Sequence, residues 1–353
     1  MSAELSARAA ALTPPHAHGP PPAAAQFRAA AEDFLVEEDL GFAPAGAGAH
    51  LLLKVRKVNA NTVWVARELA RLAGCRPHEV GYAGMKDRRA VAVQWFTVPR
   101  PRAPAHWPDA PDGPFTVLEA YPHHRKLPRG ALAGNRFSIR LRPQGGSGAE
   151  LEMALAARLA AIRRQGVPNY FGPQRFGREG ANLERLNAEA RALAPAERGF
   201  VLSAARSVIF NAVLAERVTG HSWNELTPGD LATLEGRGSF FAVDRLDETL
   251  AARAARLEIH PTGPMWGQGL PATFAAVGVL ETEVADRYRR ESAACVAAGM
   301  RQERRSLRLA VQELTTQCQP DALLLSFRLG RGSFATAVLR ELIVAPAELP
   351  EAG

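Results

Sequence analysis

Apolar and polar positions along this chain change period several times, and each change marks an element. From Phe34 the segment AEDFLVEEDLGFAPAGAGAH mixes apolar and acidic positions and ends in glycines, and HLLLKVRKV after it reads as a strand. Asn61 and Thr62 offer caps to VWVARELARLA, where Val65, Leu69, Leu72 and Ala73 share a helical face before Gly74 stops it. GYAGMKDRRAVAVQWFTV predicts a glycine-punctuated turn and then a strand, with Val91, Val93 and Trp95 alternating against Ala92, Gln94 and Phe96. In RGALAGNRFSIRLRP, Phe137, Ile139 and Leu141 take one side of a strand, and Arg136, Ser138, Arg140 and Arg142 form a row on the other.

Glycines 145, 146 and 148 precede ELEMALAARLAAIRRQG, a helix by the spacing of Leu151, Leu155, Leu159 and Ile162. From Gly166 to about Arg308 the pattern is more helical and nearly charge-balanced. The end, DALLLSFRLGRGSFATAVLRELIV, reads as a buried strand, a turn at Gly330 to Gly332, and a helix capped by Ser333. A strand and helix that short form no core alone, so they are expected to return to the first domain's sheet. The expected division is a loosely draped or disordered extension at 1–26, a first domain from 27–165 and 309–353, and an inserted α/β domain at 166–308. A chain of 353 residues, 47% hydrophobic and 22% charged, has material for two such cores.

No apolar run is expected to reach the ~18 residues of a membrane span. MSAELSARAA lacks the basic head and apolar stretch of a secretory signal, so a cytoplasmic protein is expected. Cys75, Cys295 and Cys318 are odd in number and far apart, and His123 and His124 are adjacent; neither set has the spacing of a metal site. Charge carries more information. The net charge is +7, and only four of the 43 cations are lysines. Between Lys86 and Arg142 there are eleven basic residues against four acidic ones, an excess equal to that of the whole chain. A localised, guanidinium-rich field suits phosphate and base recognition, so nucleic acid is the natural partner.

GYAGMKDRRAVAVQWF resembles the signature of the TruD-type pseudouridine synthases. AEDFLVEEDLGF, RGALAGNRFSIRLR, VPNYFGPQRFGREGANL, SAARSVIFNAVLAER, LEGRGSFF and GSFATAVLREL are similar to blocks of the same family in the same order. The resemblance spans Phe34 to Val344. It implies an α+β fold, a pseudouridine-synthase-type catalytic domain with a mixed, mainly antiparallel sheet plus the insertion. It also implies isomerisation of a uridine in the D-arm of transfer RNA, position 13, without metal or other cofactor. One departure is visible: Ala92 stands where the family usually has a threonine.

Position for position, the resemblance makes Asp87 the catalytic carboxylate and places Phe34, Asn135, Phe137 and Phe334 in the uridine pocket. The chemistry agrees independently. Breaking the base to C1′ bond and rejoining the ring through C5 needs a carboxylate beside the sugar, ionised at neutral pH. Sequence leaves open attack at C1′, addition at C6, or removal of the C2′ proton, with the last favoured. An everted base is held by aromatic faces, and Asn135 carries both donor and acceptor groups for a uracil edge. Lys86, Arg88, Arg125, Lys126, Arg129 and Arg136 are the expected phosphate contacts. Asn169, Tyr170, Phe171, Gln174 and Arg175 suit RNA contact and an interdomain hinge equally. A monomer with no obligate protein partner is expected. The competing readings are an RNA-binding protein without turnover, for which Ala92 is the only support, and an acid-base hydrolase, which would want a second carboxylate or a histidine beside Asp87.

Overall fold

The computed structural model describes residues 12–101, 106–110, 112–186 and 193–345. In chain order the elements begin β1 (Ala23–Gln26), β2 (Phe34–Asp39), β3 (His50–Val58), α1 (Thr62–Ala73), β4 (Gly81–Tyr82), β5 (Val91–Pro99), β6 (Phe115–His123), β7 (Gly134–Pro143) and α2 (Gly148–Gln165). There follow β8 (Val167–Pro168), α3 (Ala181–Glu184), α4 (Pro195–Thr219), β9 (Leu231–Leu234), β10 (Phe240–Ala242), α5 (Glu248–Ala255), β11 (Ile259–Met265), α6 (Ala275–Arg287) and α7 (Arg289–Ala297). The chain closes with β12 (Glu303–Ser306), β13 (Arg308–Leu309), β14 (Gln312–Gln319), β15 (Ala322–Gly330), α8 (Ala335–Leu342) and β16 (Ile343–Val344).

Two compact units are distinguishable. The first comprises Pro22–Ala156, Gln312–Gly332 and the chain from Ile343. Its sheet runs β14-β15-β7-β2-β5-β3-β6. Every neighbouring pair on that path is antiparallel except β2 beside β5, so the sheet is mixed and mainly antiparallel. Asn61 caps α1 by accepting from the Val63 amide, and Gly74 ends it with a left-handed φ of 67°. The buried face of α1 runs through Val65, Ala66, Leu69, Ala70 and Ala73, with Leu72 only partly covered, and packs in one cluster with Leu53, Val55, Phe96 and Val98 of the sheet.

Residue pairing fixes what each side of the sheet presents. Phe34 lies opposite Ile139, Val36 opposite Phe137 and Glu38 opposite Asn135, while Lys57 lies opposite Ala92 and Val55 opposite Gln94. Because a strand alternates, these residues share one face, and Glu37, Arg136, Lys54 and Trp95 share the other. The first face is the buried one, and it includes four polar side chains among the apolar ones.

The second unit comprises Met1–Pro21, Ala157–Val311 and Ser333–Leu342. Its core surrounds α4, whose Ala204, Val208, Ile209, Phe210, Val213 and Leu214 are buried with Tyr170, Phe171 and Trp223. Over Glu197–Thr219 this helix is long and apolar enough to cross a bilayer, so the sequence estimate of apolar run length was too short. Two-thirds of an 18-residue apolar run within it is buried, which is what a central core helix requires. A four-stranded antiparallel sheet, β10-β9-β11-β12, completes the unit with the β13-β8 pair.

Two expectations change. Residues 12–26 are not loosely draped: β1 pairs with β7 and β16, and the Ala17 and His18 amides donate to the buried Glu341 carboxylate. Composition hid this because the segment is held largely through its main-chain groups, with Leu12 and Ala17 packed on the neighbouring core. Residues 1–11 lie outside the described residues. At the other end β15 does pair with β7, but α8 groups with the second unit, since its amphipathic face finds core there.

Gly81 generates a test. A Cβ there would meet Thr97 Oγ1 at 2.5 Å and the Leu127 carbonyl oxygen at 2.6 Å. Gly81→Ala should therefore lower stability by about 1–3 kcal/mol, read from a denaturant midpoint. An unchanged midpoint would mean that the β4 region yields freely.

Candidate active site

The loop between β4 and β5, AGMKDRR, is short of apolar groups, so it cannot be fixed by packing. Polar side chains from the buried face of the sheet and from α1 fix it instead. Gln94 donates through Nε2 to the Gly84 carbonyl at 2.5 Å. Thr62 accepts the Lys86 amide at 3.1 Å and donates to Gln94 Oε1 at 3.2 Å. Lys86 Nζ reaches Glu38 Oε1 at 2.7 Å, and the other oxygen of Glu38 accepts the Trp95 amide at 3.0 Å. Lys57 Nζ donates to the carbonyls of Asp87 and Ala60, each at 2.8 Å.

At the tip of this held loop the Asp87 side chain is 56% exposed. Its Oδ2 receives Arg28 Nη2 at 2.5 Å. The Arg28 guanidinium in turn lies over the Phe34 ring, 4.2 Å from the centroid, and its backbone takes a left-handed φ of 71°. A non-glycine residue there carries strain of about 1–3 kcal/mol, which persists where surrounding contacts over-determine the position. Arg28 therefore ties the carboxylate to the aromatic face of β2.

Lys57 is the electrostatic exception of the site. Its side chain is fully buried, and burial lowers its pKa to about 8; the facing Asp87 charge opposes that fall and the neighbouring Lys86 charge adds to it.

The residues expected from sequence distribute unevenly. Asn135 is 8% exposed, lies across from Glu38, and its Oδ1 has no hydrogen-bond partner, an acceptor left open beside the loop's anchor. Phe34 and Phe137 are buried and meet edge to face at 6.0 Å, and Phe327 stacks on Phe137 at 5.3 Å. These two rings are built into the sheet's core. Phe334 belongs to the second unit and is partly buried against the cluster of Tyr170, Phe171 and Phe210.

Among the expected phosphate contacts, Arg88, Arg125, Lys126 and Arg129 are exposed. Arg129 stacks over Tyr82 at 3.6 Å, and Lys126 donates to the His78 carbonyl. Lys86 and Arg136 differ from expectation. The Lys86 ammonium is turned inward onto buried Glu38, where it anchors the loop. Arg136 pairs with Glu313 on the face of the sheet opposite Phe137 and Asn135, because alternation sends neighbours to opposite sides. The rest of the arginine row is likewise committed, Arg140 and Arg142 to buried Asp33. In the second unit Asn169 accepts from Arg305, whose guanidinium lies over Phe171, and Arg175 donates to Ser203, so three residues of that block hold its own core.

Arg28, Glu38, Lys57, Thr62 and Gln94 were not singled out from sequence as parts of the site; Thr62 was read only as a helix cap and Gln94 only as a strand position. Glu38 and Lys57 did carry a signal: each falls in phase with buried apolar positions, Phe34 and Val36 for one, Leu53 and Val55 for the other. A charge on the apolar phase of a strand marks a buried partner. Arg28 carried none, since it lies outside any element and reaches Asp87 across 59 positions.

The chain matches the sequence profile described as tRNA pseudouridine synthase D (TruD) over residues 16–186 and 184–342. It is 44% identical over 332 residues to the tRNA pseudouridine synthase D of Nitrosococcus oceani, covering 92% of each chain. It is also 44% identical to that of Methylococcus capsulatus, covering 93% of this chain and 94% of the other. A crystal structure from Methanosarcina mazei assigned to TruD is similar in fold, with a TM-score of 0.72 and 21% identity over 96% of this chain and 98% of that one.

Lys57 sets a pH test of this geometry. The unfolded chain keeps the lysine proton up to an ordinary pKa of 10.5, whereas the folded chain releases it near 8. Unfolding therefore takes up a proton between these values, and stability rises with pH across the window, by about 3 kcal/mol in all. The denaturation free energy of the wild type relative to Lys57→Met should grow in that direction from pH 8 to 10.5. A difference independent of pH would show an ordinarily solvated lysine.

Proposed function

The chain belongs to the tRNA pseudouridine synthase D family, and on that premise we propose that it converts the uridine at position 13, in the D-arm of transfer RNA, to pseudouridine, with Asp87 as the catalytic carboxylate. The observation that carries this reading is an exposed carboxylate on a loop fixed through four buried polar side chains, with Arg28 bonded to one of its oxygens.

Uridine and pseudouridine are isomers, so the reaction consumes no electrons and no second substrate. Asp87 takes the C2′ proton, the C1′ to N1 bond breaks as a double bond forms between C1′ and C2′, and the freed uracil turns. C5 then bonds to C1′ as the proton returns to C2′; C5 loses its hydrogen and N1 gains one. Arg28 holds Oδ2, which leaves Oδ1 for the sugar. The open acceptor of Asn135 suits the uracil N3–H. In this reading Phe34 and Phe137 are the aromatic floor of the uridine pocket. Arg88, Arg125, Lys126 and Arg129 meet RNA phosphates, and the catalytic domain is the unit that carries Asp87, drawn from Pro22–Ala156, Gln312–Gly332 and the chain from Ile343. The enzyme acts as a cytoplasmic monomer without a cofactor.

Incubation with unmodified transfer RNA, followed by chemical mapping of pseudouridine, tests the assignment. Product is expected with the wild type and none with Asp87→Asn. Turnover by the variant would remove Asp87 from its role, and RNA binding without product from either protein would favour an RNA-binding protein.

The phosphate contacts are read separately. Arg88→Ala and Arg129→Ala should each lower the salt slope of transfer RNA affinity by about 1. A slope that does not move takes that residue out of the interface.

A further inference from the structure

We propose that Lys57 is a positioning residue for this isomerisation: by gripping the main-chain carbonyl of Asp87 from inside the sheet, it sets the direction in which the carboxylate meets the sugar, without touching RNA itself. The inference rests on the reading of Asp87 given above and concerns how that group is aimed.

Three observations carry it. Among the described residues Lys57 is the lysine with no exposed surface, and it sits where the strand's phase calls for an apolar side chain after Leu53 and Val55. A methionine or leucine there would fill the space without the desolvation penalty of an ammonium. A buried charge in such a position needs a reason beyond packing. Next, its two hydrogen bonds go to main-chain oxygens, of Ala60 at the start of α1 and of Asp87, so one ammonium couples the rigid helix entry to the loop tip. Finally, Ala92 lies directly across the strand pair and offers no hydroxyl that could share the task.

The charges around Lys57 are disposed consistently with this role. On the loop it faces the Asp87 carboxylate and the Lys86 ammonium. Lys86 is matched by Glu38 of β2, and Asp87 by Arg28. The carboxylate is therefore held from outside by a guanidinium on its oxygen and from inside by an ammonium on its own carbonyl. Since the inner bond is to the backbone, replacing the carboxylate leaves it intact, which makes the two roles separable.

The experiment compares wild type, Lys57→Met and Asp87→Asn on unmodified transfer RNA, with kcat at saturating RNA, RNA affinity and melting temperature each measured from pH 6.5 to 9.5. Lys57→Met should lose about 10²-fold in kcat with RNA affinity within about twofold, as a misplaced reacting group does. In the wild type kcat should fall above pH about 8, where the ammonium discharges, while melting temperature holds or rises. A merely structural lysine would make activity follow stability, so these opposite directions distinguish the roles. Full kcat in Lys57→Met, or affinity lost in step with kcat, overturns the proposal. Should that variant not fold, a wild-type kcat that is flat across pH 8, or that rises with the melting temperature, overturns it equally. Turnover by Asp87→Asn would instead defeat the underlying reading of Asp87, whereas an inert Asp87→Asn beside a fully active Lys57→Met defeats this inference alone.

Discussion

An ammonium shut away from water must be solvated by protein oxygen, and the rest of this site follows from where Lys57 finds that oxygen. It takes one carbonyl from the entrance of α1 and one from the loop that bears Asp87, so the apolar cluster of helix and sheet becomes the footing of an exposed loop. Packing could not supply this. The loop has almost nothing apolar to bury, and hydrogen bonds within it would leave it free to swing as a body. Linking it to side chains that are themselves immobilised between strands removes that freedom.

Strand order then decides which groups can take part. With β2, β7, β5 and β3 adjacent, alternation puts Glu38, Asn135, Gln94 and Lys57 on one face at the ends nearest the loop. The opposite face takes Arg136, Lys54 and Glu37, where charges are matched pairwise and partly solvated. The same alternation that makes a half-apolar sheet stable separates the side that anchors the Asp87 loop from a charge-balanced outer side. A one-residue slip of β7 against β2 would exchange Asn135 for Arg136.

Much of this was legible beforehand. The helix after Asn61, the strands bearing Phe96 and Phe137, the mixed sheet and the family were readable because period and ordered motifs are local properties of sequence. Phosphate contacts were harder. Lys86 and Arg136 look as cationic as Arg88 in the sequence, and only pairing shows that Glu38 and Glu313 hold them. Arg28 and Gln94 were invisible for a related reason: their roles depend on what another strand or loop places opposite them. The partly buried ring of Phe334 and the core rings Phe34 and Phe137 show the same limit, since a phenylalanine reads alike in a core and in a pocket.

The strand that leads to Arg28 has a further consequence. β1 is pinned between β7 and β16, and β16 consists of Ile343 and Val344. A ribosome delivers the Asp87 loop long before those two residues emerge. Until they do, β1 lacks its parallel pairing with β16. β1 therefore links two parts of the chain that lie far apart in sequence, and loss of its pairing with Ile343 and Val344 would loosen the segment that leads to Arg28.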